Sequence, residues 1–291
     1  MGRETGGVEQ AAPTPDAAND EAAAMPSSAS AASTSSSEIV ARLLDWAVSP
    51  EYEEAWEEVR LAAQKFHAAS EADQLLLDDP FAFLLGVIAD YHIPAERAWR
   101  FPYELRARLG YLDPHRIAQE PDAVRRAADT PPKLHRYVAN VSAWAVAAAR
   151  IVCAKYEGDA ANIWNDNPTA RELQQRFLEF PGIGPKKAAM AVLILERDRG
   201  VPIRDMDGSD IAYDVHVRRV FLRTRLARFD NQDHMIAVAR SAHPDRPGDI
   251  DLPAWLIGRK WCRPGIPLCA SCPLSAVCPK EIGAAADVGG S

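Results

Sequence analysis

Four of the five cysteines in this chain lie between positions 262 and 278, in the order Cys262-x6-Cys269-x2-Cys272-x5-Cys278. Pro264, Gly265, Pro267 and Pro273 bend the chain between them, so the four thiolates can converge on one centre. Four thiolates suit either tetrahedral zinc or an iron–sulfur cluster. The x6 and x5 spacings are wider than the short knuckles of structural zinc sites and favour the bulkier cluster. An odd, crowded cysteine set argues for a metal site in a reducing compartment rather than a disulfide framework. Cys153 falls on the apolar face of a helical segment and is expected in the core.

The rest of the 291 residues reads as helix almost throughout. Apolar residues recur at helical spacing over 38–48 and 51–68, as in Ile39, Leu43 and Trp46. An Asp78-Asp79-Pro80 start signal opens a segment over 81–91, and Pro94 and Pro102 suit the first turns of two short helices. A long helix follows Pro131-Pro132 through Tyr137, Val141, Trp144 and Val152. Further helices are predicted over 169–180, 185–199, 210–226, 234–242 and 252–261. Two-residue alternation is nearly absent, so the fold class expected is all-α.

Residues 1–37, rich in Ala, Ser, Thr, Pro and Gly, cannot bury enough apolar surface to offset their ordering entropy and are expected to be disordered. A second loose end is expected over 284–291. The tail holds Arg3 against Glu4, Glu9, Asp16, Asp20 and Glu21, so half of the net charge of −8 lies there. An acidic balance argues against a protein that coats nucleic acid generically, but it does not exclude a local basic patch. With 47% hydrophobic residues the chain can build a real core, yet it has no run of eighteen apolar residues and no secretory signal pattern. These features give the expectation of a cytoplasmic protein with no membrane partner.

The segment Pro181-Gly182-Ile183-Gly184-Pro185-Lys186-Lys187-Ala188-Ala189 ends one helix, turns on two glycines and starts another. Such a turn brings backbone close to another surface, and the N–H groups that open the second helix suit a phosphate oxygen. Only seven lysines accompany 26 arginines, and two of them sit here. Lys186, at the positive end of a helix dipole, is either a solvated phosphate contact or an amine whose pKa is lowered toward nucleophilicity. Downstream, Asp214 heads an apolar-faced helix, as a helix-start residue or as a partner for Arg218 one turn on. Arg218, Arg219, Arg223, Arg225 and Arg228 form a dense run that is a candidate footprint on backbone phosphates.

Taken in order, the hairpin, the Asp214-Val215-His216 helix and the four-cysteine loop resemble the endonuclease III family of helix-hairpin-helix DNA glycosylases. The resemblance spans roughly residues 79–283. It implies two all-α lobes: a six-helix barrel over 79–204 containing the hairpin, and a cluster lobe that combines helices from 38–78 with 205–283. It implies Lys186 and Asp214 as catalytic residues, and a [4Fe-4S] cluster on Cys262, Cys269, Cys272 and Cys278. It also implies a monomer associated with the nucleoid, with duplex DNA bearing a damaged base as partner and Gly182, Gly184, Lys187, Arg218, Arg219, Arg223 and Tyr91 as contacts. The activity implied is base excision, oxidised pyrimidine being the family default, with lyase cleavage of the strand through a lysine Schiff base. The alternatives are a monofunctional uracil or mismatch enzyme and a non-catalytic DNA-binding protein. Val215 stands where the family has Thr, and Ala89-Asp90-Tyr91-His92 where it commonly has an Ala-Gln turn. Lys186 and Asp214 are 28 residues apart, so an extra loop is expected over 199–209, near the pocket. Tyr91, His92 and Trp164 are candidate pocket or wedge residues.

Overall fold

The computed structural model describes residues 28–64 and 69–283, with side chains over 36–59 and 71–283. Among these residues every regular element is helical. In order they are α1 (Ser28–Ala47), α2 (Pro50–Gln64), α3 (Ala69–Asp78), α4 (Pro80–Ala89), α5 (Ala95–Ala98), α6 (Phe101–Leu109) and α7 (Pro114–Gln119). There follow α8 (Pro121–Asp129), α9 (Val138–Lys155), α10 (Ala170–Leu178), α11 (Pro185–Arg197), α12 (Val215–Arg223), α13 (Gln232–Ala242) and α14 (Asp251–Lys260).

Local chemistry explains most boundaries. Asp79 caps α4, its Oδ1 accepting from the N–H groups of Phe81 (2.8 Å) and Ala82 (3.0 Å), with Pro80 in the first turn. Thr169 and Glu172 close a reciprocal capping box at the start of α10. α1 starts at Ser28, inside the stretch expected to be disordered; residues 1–27 and 284–291 lie outside the described residues. No Gly or Pro follows Pro26 before Ile39, and a helix nucleated on a packed apolar face extends cheaply through Ala and Ser. The helix expected over 210–226 starts later, because Asp214 is its N-cap and the preceding chain is irregular.

Two hydrophobic cores divide the molecule. One runs from Leu75 to Met206 and is built on α4, whose residues Phe81 to Ala89 are all buried, and on α9. The other joins Ile39, Leu43, Trp46 and Ala55 of α1 and α2 to the chain from Ile211 to Leu274, so the polypeptide leaves this lobe and returns to it. α3 departs from the expected boundary. Leu75 belongs to the first core and α3 packs on α4 and α6, because α3 leads directly into α4 through Asp78-Asp79-Pro80. α9 is long and apolar enough to cross a membrane by length and composition, but its Val141, Ala145, Ala148 and Val152 are fully buried against α4, α7 and α8.

A close helix contact sits beside the candidate site. α12 lies along α14, and a Cβ added at Gly258 would come 2.6 Å from the backbone oxygen of His216. Backbone cannot yield by changing rotamer, so Gly258→Ala is expected to lower stability by about 2 kcal/mol or more, read as a lower denaturant midpoint at unchanged slope.

Candidate functional site

α11 presents Lys186, Met190, Leu193, Ile194 and Arg197 to one cavity of about 420 Å³ between the two cores. That spacing is a single helical face. Facing it are Asp90 beyond α4, Trp99 beyond α5, Trp56 of α2, Asp214 and His216 at the head of α12, and Asp251, Trp255 and Arg259 of α14.

Lys186 and Asp214 meet at this cavity, with Nζ donating to Oδ2 at 2.8 Å. Asp214 is the N-cap of α12, and its Oδ1 accepts the His216 N–H at 2.8 Å. Burial pulls the Lys186 amine down, but the charge and hydrogen bond of Asp214, with Asp90 and Asp251 behind, outweigh it and hold the ammonium above its ordinary value. The lowering expected from the helix dipole is thereby reversed, because a carboxylate in contact is a stronger influence than half a charge spread over a helix end. Burial likewise pushes Asp214 up, and Lys186 together with the His216 N–H pulls it below the ordinary carboxylate range.

Lys187, one residue on, points the other way. It is buried and donates to the carbonyls of Val87 (3.2 Å) and Ile88 (2.9 Å), while buried His135 bonds the carbonyl of Ala89 (3.1 Å). Three consecutive carbonyls at the end of α4 thus receive side-chain partners, which ties α11 to the turn carrying Asp90 and Tyr91. Lys187 is therefore a helix-end anchor and is not available to a phosphate. Burial lowers its amine to about 8, so the depressed lysine is the neighbour of the one expected.

The hairpin glycines differ in their reasons. Gly182 has φ +85° and a Cβ there would lie 2.6 Å from the Trp144 ring, so both backbone and packing demand glycine. Gly184 is exposed, with nothing within 4 Å of a Cβ, and it caps α11 with no side-chain partner for the first N–H groups. Tyr91 packs edge-on against Trp144 (5.0 Å) and Tyr137 (5.2 Å), whereas His92, exposed at φ +51°, forms the tip of that turn. Trp164 is buried between Phe83 and Phe177 and is core. The loop over 199–209 lies along the start of α10, not at the cavity: Ala170 N–H donates to Asp205 O (3.1 Å) and Gln174 Nε2 to Gly208 O (3.0 Å).

The arginines of α12 correct the expected footprint. Arg218 forks onto Asp230 and lies over the Tyr213 ring (4.8 Å), leaving Asp214 to Lys186. Arg219 is 1% exposed and donates to the carbonyls of Cys262 and Gly258 and to His216 Nδ1. Arg223 is 2% exposed and donates to Arg263 O (2.8 Å) and Cys262 Sγ (3.6 Å). Residues four apart share a helix face, and this face turns inward onto the thiol loop.

All four clustered cysteines line one small cavity of about 30 Å³, walled also by Arg223, Trp261, Pro267 and Ile282. No three His, Cys, Asp or Glu side chains among the described residues come together as a ligand set for a single metal ion. Arg223 Nε and Nη2 are buried at this cavity without a hydrogen-bond partner, which leaves a cationic group in want of negative charge. Burial pushes the Cys272 thiol up to about 11, and the three neighbouring thiols add to it. Four thiolates here require a cationic group to hold them, and Arg223 requires thiolates, so the donor set fits a thiolate-ligated centre. Cys153, by contrast, is alone and partly buried.

Sequence reasoning missed the aromatic walls Trp56, Trp99 and Trp255, and also Asp251. An acid in a helix's first turn looks like any dipole-matched residue; only the fold brings it to the cavity.

No family model matches this sequence, nor does any curated protein. Among solved structures, the chain is similar to a trapped endonuclease III–DNA covalent intermediate in an estranged-adenine complex. The TM-score is 0.50 at 20% identity, over 77% of this chain and 95% of that one. The chain has the helix-hairpin-helix glycosylase fold.

The unfolded chain binds a proton at Lys187 up to about pH 10.5, and the folded chain only up to about 8. Stability therefore rises with pH across that window. Relative to Lys187→Met, wild type is expected to gain about 3 kcal/mol between those limits, measured by denaturant unfolding at a series of pH values.

Proposed function

We propose that this protein is a base-excision DNA glycosylase acting on an extruded, damaged base in duplex DNA, with lyase cleavage through Lys186. The observation that carries this reading is the Lys186–Asp214 contact at a cavity between two lobes. A base inside a duplex is out of reach of a nucleophile, so the target must swing out into such a cavity. Trp56, Trp99 and Trp255 line that cavity, and aromatic walls suit a planar base. The open backbone at Gly184 and the free N–H groups opening α11 suit a phosphate of the bent strand.

As the glycosidic bond breaks, its electron pair leaves with the base and positive charge develops on the sugar. Ionised Asp214, kept so by Lys186 and the head of α12, stabilises that charge. For the lyase step Lys186 passes one proton to Asp214, and its lone pair then bonds the anomeric carbon. A second proton passes from that nitrogen to the ring oxygen as the C1′–O4′ bond breaks, leaving a Schiff base. Loss of the C2′ proton to solvent then forms the C2′–C3′ double bond as the C3′–O bond breaks and the 3′ phosphate leaves. A second reading makes water the nucleophile and leaves Lys186 protonated; the ion pair, which holds the ammonium above its ordinary value, favours it.

Cys262, Cys269, Cys272 and Cys278 would hold a [4Fe-4S] cluster, with Arg223 facing its thiolates. Such a group supplies a four-point crosslink that fastens the C-terminal loop to α12 and α14.

The decisive experiment is borohydride trapping on a panel of single-lesion duplexes. Wild type is expected to form a covalent adduct and Lys186→Ala none, while Asp214→Asn lowers base release by about 100-fold or more. Base release without an adduct identifies the water-based reading, and no release from any lesion sinks both. Freshly purified protein is expected to carry iron and acid-labile sulfide with a broad visible absorption. Cys272→Ser should lose that absorption and melt at lower temperature, and a colourless zinc protein would overturn the cluster.

A further inference from the structure

Asp251 opens α14 on the wall of the cavity that holds Lys186 and Asp214. Its Oδ1 is fixed by the N–H of Ala212 at 2.7 Å, two residues before Asp214. Among the described residues nothing donates to its Oδ2, so that oxygen is free to carry a proton.

The cations near it are already engaged. From α11, Lys186 is paired with Asp214, and Arg197 forks onto Asp198 at 2.7 and 2.6 Å. From α14 itself, Arg259 pairs with Glu96 at 3.3 Å. The other titratable groups that face it are Tyr52 of α2, Asp90 beyond α4, and Asp214 and His216 at the head of α12. His216 is held toward its neutral form by burial. Asp251 is thus a carboxyl with no cation of its own, beside a carboxylate that has one. Two acids in one cavity with opposite environments divide into a charged stabiliser and a neutral proton donor.

We infer that Asp251 is the acid that protonates the departing base. This rests on the glycosylase reading and deepens it. The electron pair of the breaking glycosidic bond flows into the base, and the proton on Asp251 Oδ2 moves to a carbonyl oxygen or ring nitrogen that has gained that density. Asp251 is left as a carboxylate and takes a proton from solvent once the base has gone. The substrate class that needs such help is a neutral base that leaves as an anion, such as uracil, thymine or an oxidised pyrimidine. A cationic alkylated base leaves as a neutral molecule and needs none. Burial, with the charge of Asp214, pushes the Asp251 carboxyl up to about 7, so the donor is present below that pH and is lost above it.

The test is single-turnover base release by the full-length protein from duplexes carrying neutral lesion bases graded by N–H acidity, across a pH series. Asp251→Asn keeps an oxygen for the Ala212 N–H but has no proton to transfer. It is expected to slow release of the least acidic base by about 100-fold with duplex affinity unchanged. The loss should shrink as the leaving group becomes more acidic, and the fall in rate above about pH 7 should disappear. An equal loss on every base, or a pH profile that does not change, would show that Asp251 only fastens the loop before Asp214 and overturns the inference. Should Asp251→Asn fail to fold, the wild-type profile decides: its alkaline fall must flatten with increasing acidity of the base, and a fall common to all bases overturns the inference. Wild type that releases no base from any duplex brings down the glycosylase reading itself and this inference with it, a result separable from the others because it appears before any variant is made.

Discussion

The Lys186–Asp214 ion pair is the interaction on which the rest of the arrangement turns. Its ammonium comes from the first turn of α11, in the lobe built around α4 and α9, and its carboxylate from the N-cap of α12, in the lobe built around α12 and α14. Each side chain sets the charge of the other in a partly desolvated place. Asp214 depends on the pair most, since its side chain is only 15% exposed and a buried carboxylate without a partner shifts its pKa, whereas Lys186 keeps 46% of its side chain exposed. Each lobe therefore has its own device for fixing its half of the pair.

In the first lobe the device is the adjacent lysine. Lys187 takes two carbonyls at the end of α4 and His135 takes the third, which orients α11 so that Lys186 and not its neighbour faces the cavity. In the second lobe the device is a pair of buried arginines. Arg219 and Arg223 carry the end of α14 and the thiol loop on the inner face of α12, and Asp251 ties the chain before Asp214 to the start of α14. A thiolate-ligated centre would complete the anchoring, because Arg223 lines the thiol cavity and two of its buried nitrogens have no partner. Charged residues that look like a surface footprint thus belong to the internal scaffold of the site.

Charge density along a sequence carries no direction. Five arginines in twelve residues suit an exposed basic stripe as well as an inward-facing clamp; the packing of α12 on α14 buries Arg219 and Arg223, while Arg225 and Arg228 lie beyond the end of α12 and are exposed. Tyr91 is a similar case: a large aromatic at a turn suits insertion into a duplex, but here it packs edge-on with Trp144 and Tyr137, and exposed His92 holds the tip. Motifs fared better than composition, because each is a local geometric requirement. Gly182 needs a left-handed backbone and room for Trp144, Asp214 needs a helix to cap, and four cysteines broken by prolines need a common centre.

What the amino-acid order determined by itself is everything short-ranged: helices from apolar spacing and prolines, the hairpin from its glycines, the cap at Asp214 and the convergence of the cysteine loop. What only the tertiary structure decided is which charges meet. It paired Lys186 with Asp214 across 28 residues, sent Lys187 inward, took Arg218 for Asp230 and left Asp251 at the cavity without a cation. The reason is one of range. Backbone propensity and capping act within a turn or two, whereas the protonation of a side chain depends on burial and on neighbours that come near only when separate helices pack.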